Sequence, residues 1–414
     1  MKGISLLASL MAVLMLSSCS AASGGGSAFA SSISGTEGEP LPGGAVESKL
    51  IQANNAFALS LTKMLGDDWT GVFSPLSISM VLQLTMNGAD QLARTAMEQA
   101  LKTQMGQDEI NLNNGRLLNK LNSAGSVRMA NAVFANKAGT VNKEFISIAA
   151  DFYRAGIGNL DFSDKQKTLR IINDWLKDNT DGRIKDMVKE ISNDSMMFLI
   201  NAVTFKSNWL SPFDPKKTEK ADFYGLNEKT VVEMMSKTGS MSYYQAENGQ
   251  IALLPYADKS CFMAVMLPEE GVSPADFIQA FDYQWNKCES AYGTLNMPKA
   301  RLETNLDLNG ILKDMGMGDA FIDGDGSFPS LITANDGRGS AAINNVMHGA
   351  AITIDENGTE ASAGTVVDMA VRSMAPGYPF TIQCDRPYAM MIVHWETEAV
   401  LFTAIVSDLG IPAA

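Results

Sequence analysis

Residues 343–365, INNVMHGAAITIDENGTEASAGT, join two textures in one run of chain. The first part, within a β-type run from Ala341 to Asp355, reads as a strand. From Glu356 to Ala375 the chain then spends twenty residues on small, mostly uncharged side chains. The two acids after Glu356, Glu360 and Asp368, share one parity, and the other parity reads Thr359, Ala361, Ala363, Thr365, Val367, Met369. Extended, this segment would have one neutral face and one face carrying both charges, the pattern of a strand with one buried side. Gly358, Gly364 and four alanines make it a poor strand in isolation and suit a mobile loop equally well. No proline occurs from Ser330 through Ala375, so nothing there would remove a ladder hydrogen bond. The segment is written for two states.

Outward from it, the organisation is that of one large domain beginning near residue 45, with no second linker, repeat or low-complexity break. Leu50, Ala53, Phe57, Leu61 and Met64 recur at helical spacing. FSPLSISMVLQLTMNGA opens a second helix at a Ser cap, with Pro75 in its first turn and Gly88 near its end, and LRIINDWLKDNT (169–180) gives a third. Strand-like runs dominate later: 196–205, 251–256, 261–268, 341–355, and YAMMIVHW with AVLFTAIV near the end. Helices mostly first and strands mostly later argue for an α+β fold.

Composition narrows the partners. The 414 residues are 46% hydrophobic, ample for a sizeable core, and 32 basic against 46 acidic residues leave a formal charge of −14. That balance disfavours nucleic acid or an anionic surface as the main partner. The N-terminus, MKGISLLASLMAVLMLSSCS, has Lys2 and then an apolar run through Leu16, too short for a spanning helix and suited to a signal peptide over residues 1–18. LSSC at 16–19 resembles a bacterial lipobox, implying cleavage before Cys19 and lipid on its thiol. Residues 20–44 are Gly/Ser-rich and read as a tether with a reach of roughly 25–30 Å. Ser20 after the lipidated Cys leans toward an outer-membrane or cell-surface address, facing the periplasm or exterior. Cys261, Cys288 and Cys384 are odd in number and widely spaced, so they imply no disulfide framework.

Catalytic readings find little material. With only His348 and His394 and no G-x-S-x-G elbow, a Ser-His-Asp triad or a His-rich metal site is poorly supplied, and zinc spacing is absent. DGDGS (323–327) begins like a calcium loop, but Phe328 and Ala334 stand where Gly and Glu are required, so no metal or cofactor is expected. Ser60 with Lys63, together with Lys237-Thr-Gly239, imitates the boxes of penicillin-binding acyl-enzymes. Against this, Ser60 and Lys63 lie inside the first amphipathic helix and the intervening S-x-N or Y-x-N is missing. His348, among apolar and small residues in a strand, reads as a buried, hydrogen-bonded histidine.

Taken together, FSPLSISMVL (73–82), FLINAVTFKSNWLSPFDPKKTEKADFY (198–224), VMLPEEG (265–271), MPKARLETNLDLNGILKDMGM (297–317) and residues 343–365 resemble, in family order, the serpins, inhibitors of serine and sometimes cysteine proteases. The resemblance covers about 45 to 411. It implies helices packed around a large mixed or antiparallel sheet with smaller sheets, and an exposed reactive loop at about 356–376. A protease would attack that loop as substrate, and the loop's first half would insert as a new strand before water hydrolyses the acyl-enzyme. On this reading the chain is a monomer that is not an enzyme and forms a covalent complex with its target.

The resemblance also assigns roles. Seventeen residues counted from Glu356 inclusive place Arg372 before the scissile bond and Ser373 after it, implying a trypsin-like target. The loop hinge is Glu356, Gly358, Thr359, Glu360, Ala361, Ser362 and Ala363. Ser74, Ser77, Asn201 and His348 match the polar cluster where the sheet parts, and Trp209 and the pair Lys299 and Glu356 match the loop's point of entry. A non-inhibitory serpin acting as carrier or scaffold is the alternative within the fold; charged or proline-rich hinge residues would favour it, and they are absent.

Overall fold

The structure, a computed structural model, describes residues 33–34, 41–192, 195–322, 327–336, 340–359 and 380–410. Cys19, Glu360 to Ala363, Arg372 and Ser373 lie outside the described residues.

Eight strands form the main sheet: β1 (Ile33–Ser34), β2 (Val127–Asn136), β3 (Gly156–Leu160), β4 (Met197–Phe205), β5 (Ser207–Asn208), β6 (Ala300–Asp307), β7 (Asn345–Ile354) and β8 (Gly358–Thr359). Across the sheet they run β1, β3, β2, β4, β7, β6, and β8 lies between the upper end of β7 and β5, which continues β4. β4 and β7 are parallel neighbours, paired from Phe198 with Asn345 through Thr204 with Ala351. β2 runs antiparallel to β4, and β3 parallel to β2. A nine-stranded second sheet runs from Phe380–Gln383 through Glu289–Pro298 and the long strand Lys229–Ala246 to Val400–Val406 and Gly71–Phe73, with Glu219–Tyr224 beside Lys229–Ala246. Phe328–Ala334, Ser340–Ala341 and Gly139–Val141 make a third, small sheet.

The helices are α1 (Ser48–Leu65), α2 (Pro75–Thr85), α3 (Gln91–Ala100), α4 (Gln107–Ala124), α5 (Lys143–Tyr153), α6 (Lys165–Asn179) and α7 (Pro274–Phe281), with a short turn at Asn309–Leu312. α2 begins where expected: Ser74 Oγ accepts the Ser77 N–H at 3.3 Å, Pro75 fills the first turn, and every residue of the helix is buried. α6 starts earlier than its apolar spacing suggests, because Asp164 caps the Lys167 N–H at 3.3 Å.

One core lies around α1 and α2 and takes in residues of the main and second sheets, among them Leu199, Val203, Phe205, Leu254 and Phe402. A second lies where α6 and residues 184–191 cover β2 and β4, with Trp175 edge-on to Phe134 at 5.8 Å. A third joins α7 to the second sheet through Phe277, Ile278 and Phe281. The expected α+β architecture of helices around a large mixed sheet with smaller sheets is what the chain adopts.

Within residues 20–44, where a tether is expected, the described residues touch the body at two places. Ile33–Ser34 pairs with β3 in the main sheet, and Arg116 of α4 donates to the carbonyls of Pro42, Gly43 and Ala45. Small polar residues do not resist pairing when an edge strand offers unpaired backbone groups.

Candidate functional site

The site begins where β7 ends. Asp355 Oδ1 accepts the N–H groups of Asn357 (2.7 Å) and Gly358 (3.1 Å), and the Asp355 N–H donates to the Gly358 carbonyl at 3.0 Å. This tight turn reverses the chain, so that β8 runs antiparallel to both β7 and β5. Gly358 packs so closely on Ser207 and Asn208 that a β-carbon would fall 2.7 Å from the Asn208 Cα, which no other residue could tolerate without displacing that strand. Thr359 has no solvent exposure, and its hydroxyl lies 2.6 Å from that of Tyr256. The Thr359 side chain therefore faces inward.

Trp209 frames this entry point. Its N–H donates to the Asn357 carbonyl at 2.8 Å, its indole Nε1 donates to the Asp355 carbonyl at 3.0 Å, and its ring stacks on Tyr256 with centroids 4.7 Å apart. The Phe213 N–H donates to the Glu356 carbonyl at 2.9 Å. Glu356 is almost buried; Thr218 Oγ1 donates to it at 2.7 Å and Lys299 Nζ lies 3.4 Å away. Burial opposes the Glu356 charge, but Thr218 and Lys299 outweigh it and hold the carboxyl below its ordinary range. For Lys299 burial also opposes the charge, and Glu356 and Glu233 outweigh it and raise the amine. Lys299, Glu356 and Trp209 are thus brought together around the turn between β7 and β8.

Farther down the seam lies a second polar cluster. His348 and Asn201 are register partners across β7 and β4. Ser74 N–H donates to His348 Nε2 at 3.0 Å, leaving Nδ1 protonated to donate to Asn201 Oδ1 at 2.6 Å. Asn201 Nδ2 donates to Ser77 Oγ, to the Ser77 carbonyl at 3.1 Å and to Asn131 Oδ1 at 2.5 Å. All five side chains are buried, and burial pushes His348 down to about 3, so the ring is neutral. Ser74, Ser77, Asn201 and His348 are brought together as expected; Asn131 joins them because β2 places it opposite Asn201. A strand entering between β4 and β7 would have to break the His348–Asn201 bond.

The acyl-enzyme decoy dissolves. Ser60 Oγ donates to the Ala56 carbonyl within α1 at 3.1 Å, and Lys63 is exposed. Lys237 donates to the Ser211 carbonyl and lies 5.6 Å over the Phe213 ring, and burial lowers its amine to about 8. It supports the 209–213 loop that grips the hinge.

The family model described as serpin (serine protease inhibitor) matches residues 52–409. The chain belongs to the serpin family. It is 30% identical over 367 residues to an uncharacterised serpin-like protein of Thermococcus kodakarensis, covering 86% of this chain and 85% of that one. Human serpin B8 is likewise 30% identical, over 371 residues, covering 85% of this chain and 97% of its own. Among solved structures, the thermophilic serpin tengpin in its native state superposes with a TM-score of 0.82 at 27% identity, covering 90% of this chain and 97% of that one. Serpins in general are protease inhibitors and not catalytic enzymes.

Three residues at this site escape sequence reasoning. Tyr256 sits inside an apolar run, IALLPY, that signals only a strand, and Thr218 and Asp355 carry no motif of their own. The fold brings Tyr256 and Thr218 to the hinge, and Asp355 shows its part only in the turn that it caps.

Proposed function

We propose that this serpin is a suicide-substrate inhibitor of an extracytoplasmic, trypsin-like serine protease, cut between Arg372 and Ser373. One observation carries the reading: Gly358–Thr359 already occupies the sheet between β7 and β5, with the Thr359 side chain fully buried. The next residues of the same parity, Ala361 and Ala363, are small and neutral and would follow Thr359 into the seam. The protease serine would attack the Arg372 carbonyl to form the acyl-enzyme, with Ser373 as the new N-terminus. Insertion then competes with hydrolysis. If it wins, the enzyme is carried off while bonded.

The serpin acts as a monomer without cofactor, and it is held to an outer membrane or cell surface by lipid on Cys19. The lipobox-like LSSC at 16–19 supports the anchor. The test is incubation with trypsin followed by denaturing electrophoresis. A band at the summed masses, lost in Arg372→Ala with an unchanged melting curve, is the expected result; clean cleavage with no covalent band, or rapid complex formation by the variant, would refute inhibition or the assigned bond respectively.

A further inference from the structure

The chain ahead of α1 docks on the body at several points. Leu41 packs onto α4 at Gly115, close to Phe152 of α5. The Arg116 guanidinium donates to the carbonyls of Pro42 (3.4 Å), Gly43 (3.3 Å) and Ala45 (3.3 Å). A β-carbon at Gly44 would fall 2.6 Å from that guanidinium, so a larger residue there would have to push the Arg116 side chain aside. The Glu47 N–H donates to Asn113 Oδ1 at 2.8 Å. Farther out, Ile33 pairs with Gly158 and Ser34 with Ile157, adding a strand to the outer edge of the main sheet.

The direction of that strand gives the segment a consequence. β4 runs toward the hinge, since β5 and β8 follow its upper end. β2 is antiparallel to β4 and β3 parallel to β2, so β3 runs away from the hinge. β1 is antiparallel to β3 and enters from the end of the sheet opposite the hinge. Gly158 stands level with Phe134, and Phe134 with Phe198. The nine-residue interval from Phe198 to Ser207 therefore separates the tether exit from the hinge by roughly 30 Å.

We infer that the chain ahead of α1, docked at 33–34 and again at 41–47, acts as a strap that fixes the tether's exit at the pole opposite the hinge, so that a molecule held at Cys19 presents its hinge away from the surface. This rests on the anchor proposed above. With β1 seated, only fourteen residue steps separate Cys19 from Ile33, a reach of about 20 Å. The strap thus shortens the tether and orients the body, and it covers an edge strand that would otherwise offer unpaired backbone groups.

The test attaches a phospholipid chemically to Cys19 of the chain from Cys19 onward, in a Cys288→Ser background, and places it on phosphatidylcholine vesicles containing an acceptor-labelled lipid. A donor dye is carried by Lys137→p-azidophenylalanine, in the turn after β2, or by Leu210→p-azidophenylalanine, beside the hinge. Energy transfer should be at least threefold stronger from position 137, and the bias should fall toward equality when Ile33→Pro is combined with Arg116→Ala. Equal or reversed transfer in the parent, or a bias that survives the double change, overturns the proposal. In solution, hydrogen exchange across Gly156–Leu160 should quicken at least tenfold for one or more amides in Ile33→Pro; unchanged exchange also overturns it. Because the lipid is attached chemically, a failure here is distinct from a failure of lipidation in the cell, which Cys19→Ser and radiolabelled palmitate would report.

Discussion

Thr359 is buried against Tyr256, whereas Glu360 has the opposite parity. Ala361→Arg, at the next residue of Thr359's parity, would have to bury an unpaired charge as insertion proceeds, at a cost of at least several kcal/mol after relaxation. Even about 2.7 kcal/mol added to the insertion barrier slows it roughly a hundredfold, enough for hydrolysis to win. The variant should be cleaved and released as a substrate, while Glu360→Arg should trap trypsin to within a small factor; equal trapping by both would contradict the parity. His348 makes a second prediction at this scale. Its folded value lies near 3, below the ordinary histidine range, so the unfolded chain binds the extra proton first as pH falls. The stability of the neutral ring is complete above about pH 6.5 and is lost toward pH 3, with a slope of up to about 1.4 kcal/mol per pH unit. Melting curves from pH 7 to 4 should fall more steeply for the parent than for His348→Gln, and parallel curves would remove His348 as the cause. Thr359 and His348 were legible because parity and an apolar setting are written locally. Tyr256, Asn131 and Thr218 were not, because each meets its partner only through strand register or a distant loop.

The strands flanking the seam, β4 and β7, read clearly as continuous apolar runs buried on both faces. β3, GIGNL, did not, because two glycines in five residues look like a loop until a neighbouring strand supplies the register. α4 was hidden for another reason: its inward face is partly polar, with Asn111 bonded to Tyr153 at 2.7 Å and Asn114 to Gln83 at 2.6 Å, so apolar spacing underreports it. The entry ion pair belongs to this scale because it joins β6 to the turn after β7. Lys299→Ala would leave Glu356 almost buried with Thr218 as its remaining side-chain donor, weakening the closed top of the sheet. On incubation at 37 °C the variant should lose trypsin-trapping activity several-fold faster than the parent while gaining thermal stability. Loss at the parent's rate would show that the pair does not hold the sheet closed.

For the whole molecule, the proposed mechanism implies that cleavage adds a strand to the main sheet, so that the persistence of the uncleaved state would be kinetic. Cleavage in the loop should raise the melting midpoint by roughly 20 °C, taking about 1 kcal/mol for each of some ten new ladder bonds and about 2 °C for each kcal/mol in a chain of this size. Identical melting before and after cleavage would contradict insertion. The direction of the seam strands also determines how often the molecule can act. β4 and β7 run the same way and β8 runs against both, so each residue that follows β8 exchanges slanted parallel pairing for two antiparallel ladders. Thirteen residue steps separate Thr359 from Arg372, so a cargo bonded at Arg372 would travel about 43 Å down the sheet in one stroke. On the proposed mechanism the filled gap would not be reloaded. Each copy would therefore perform mechanical work once, and protection would last only as long as synthesis replaced the copies already spent.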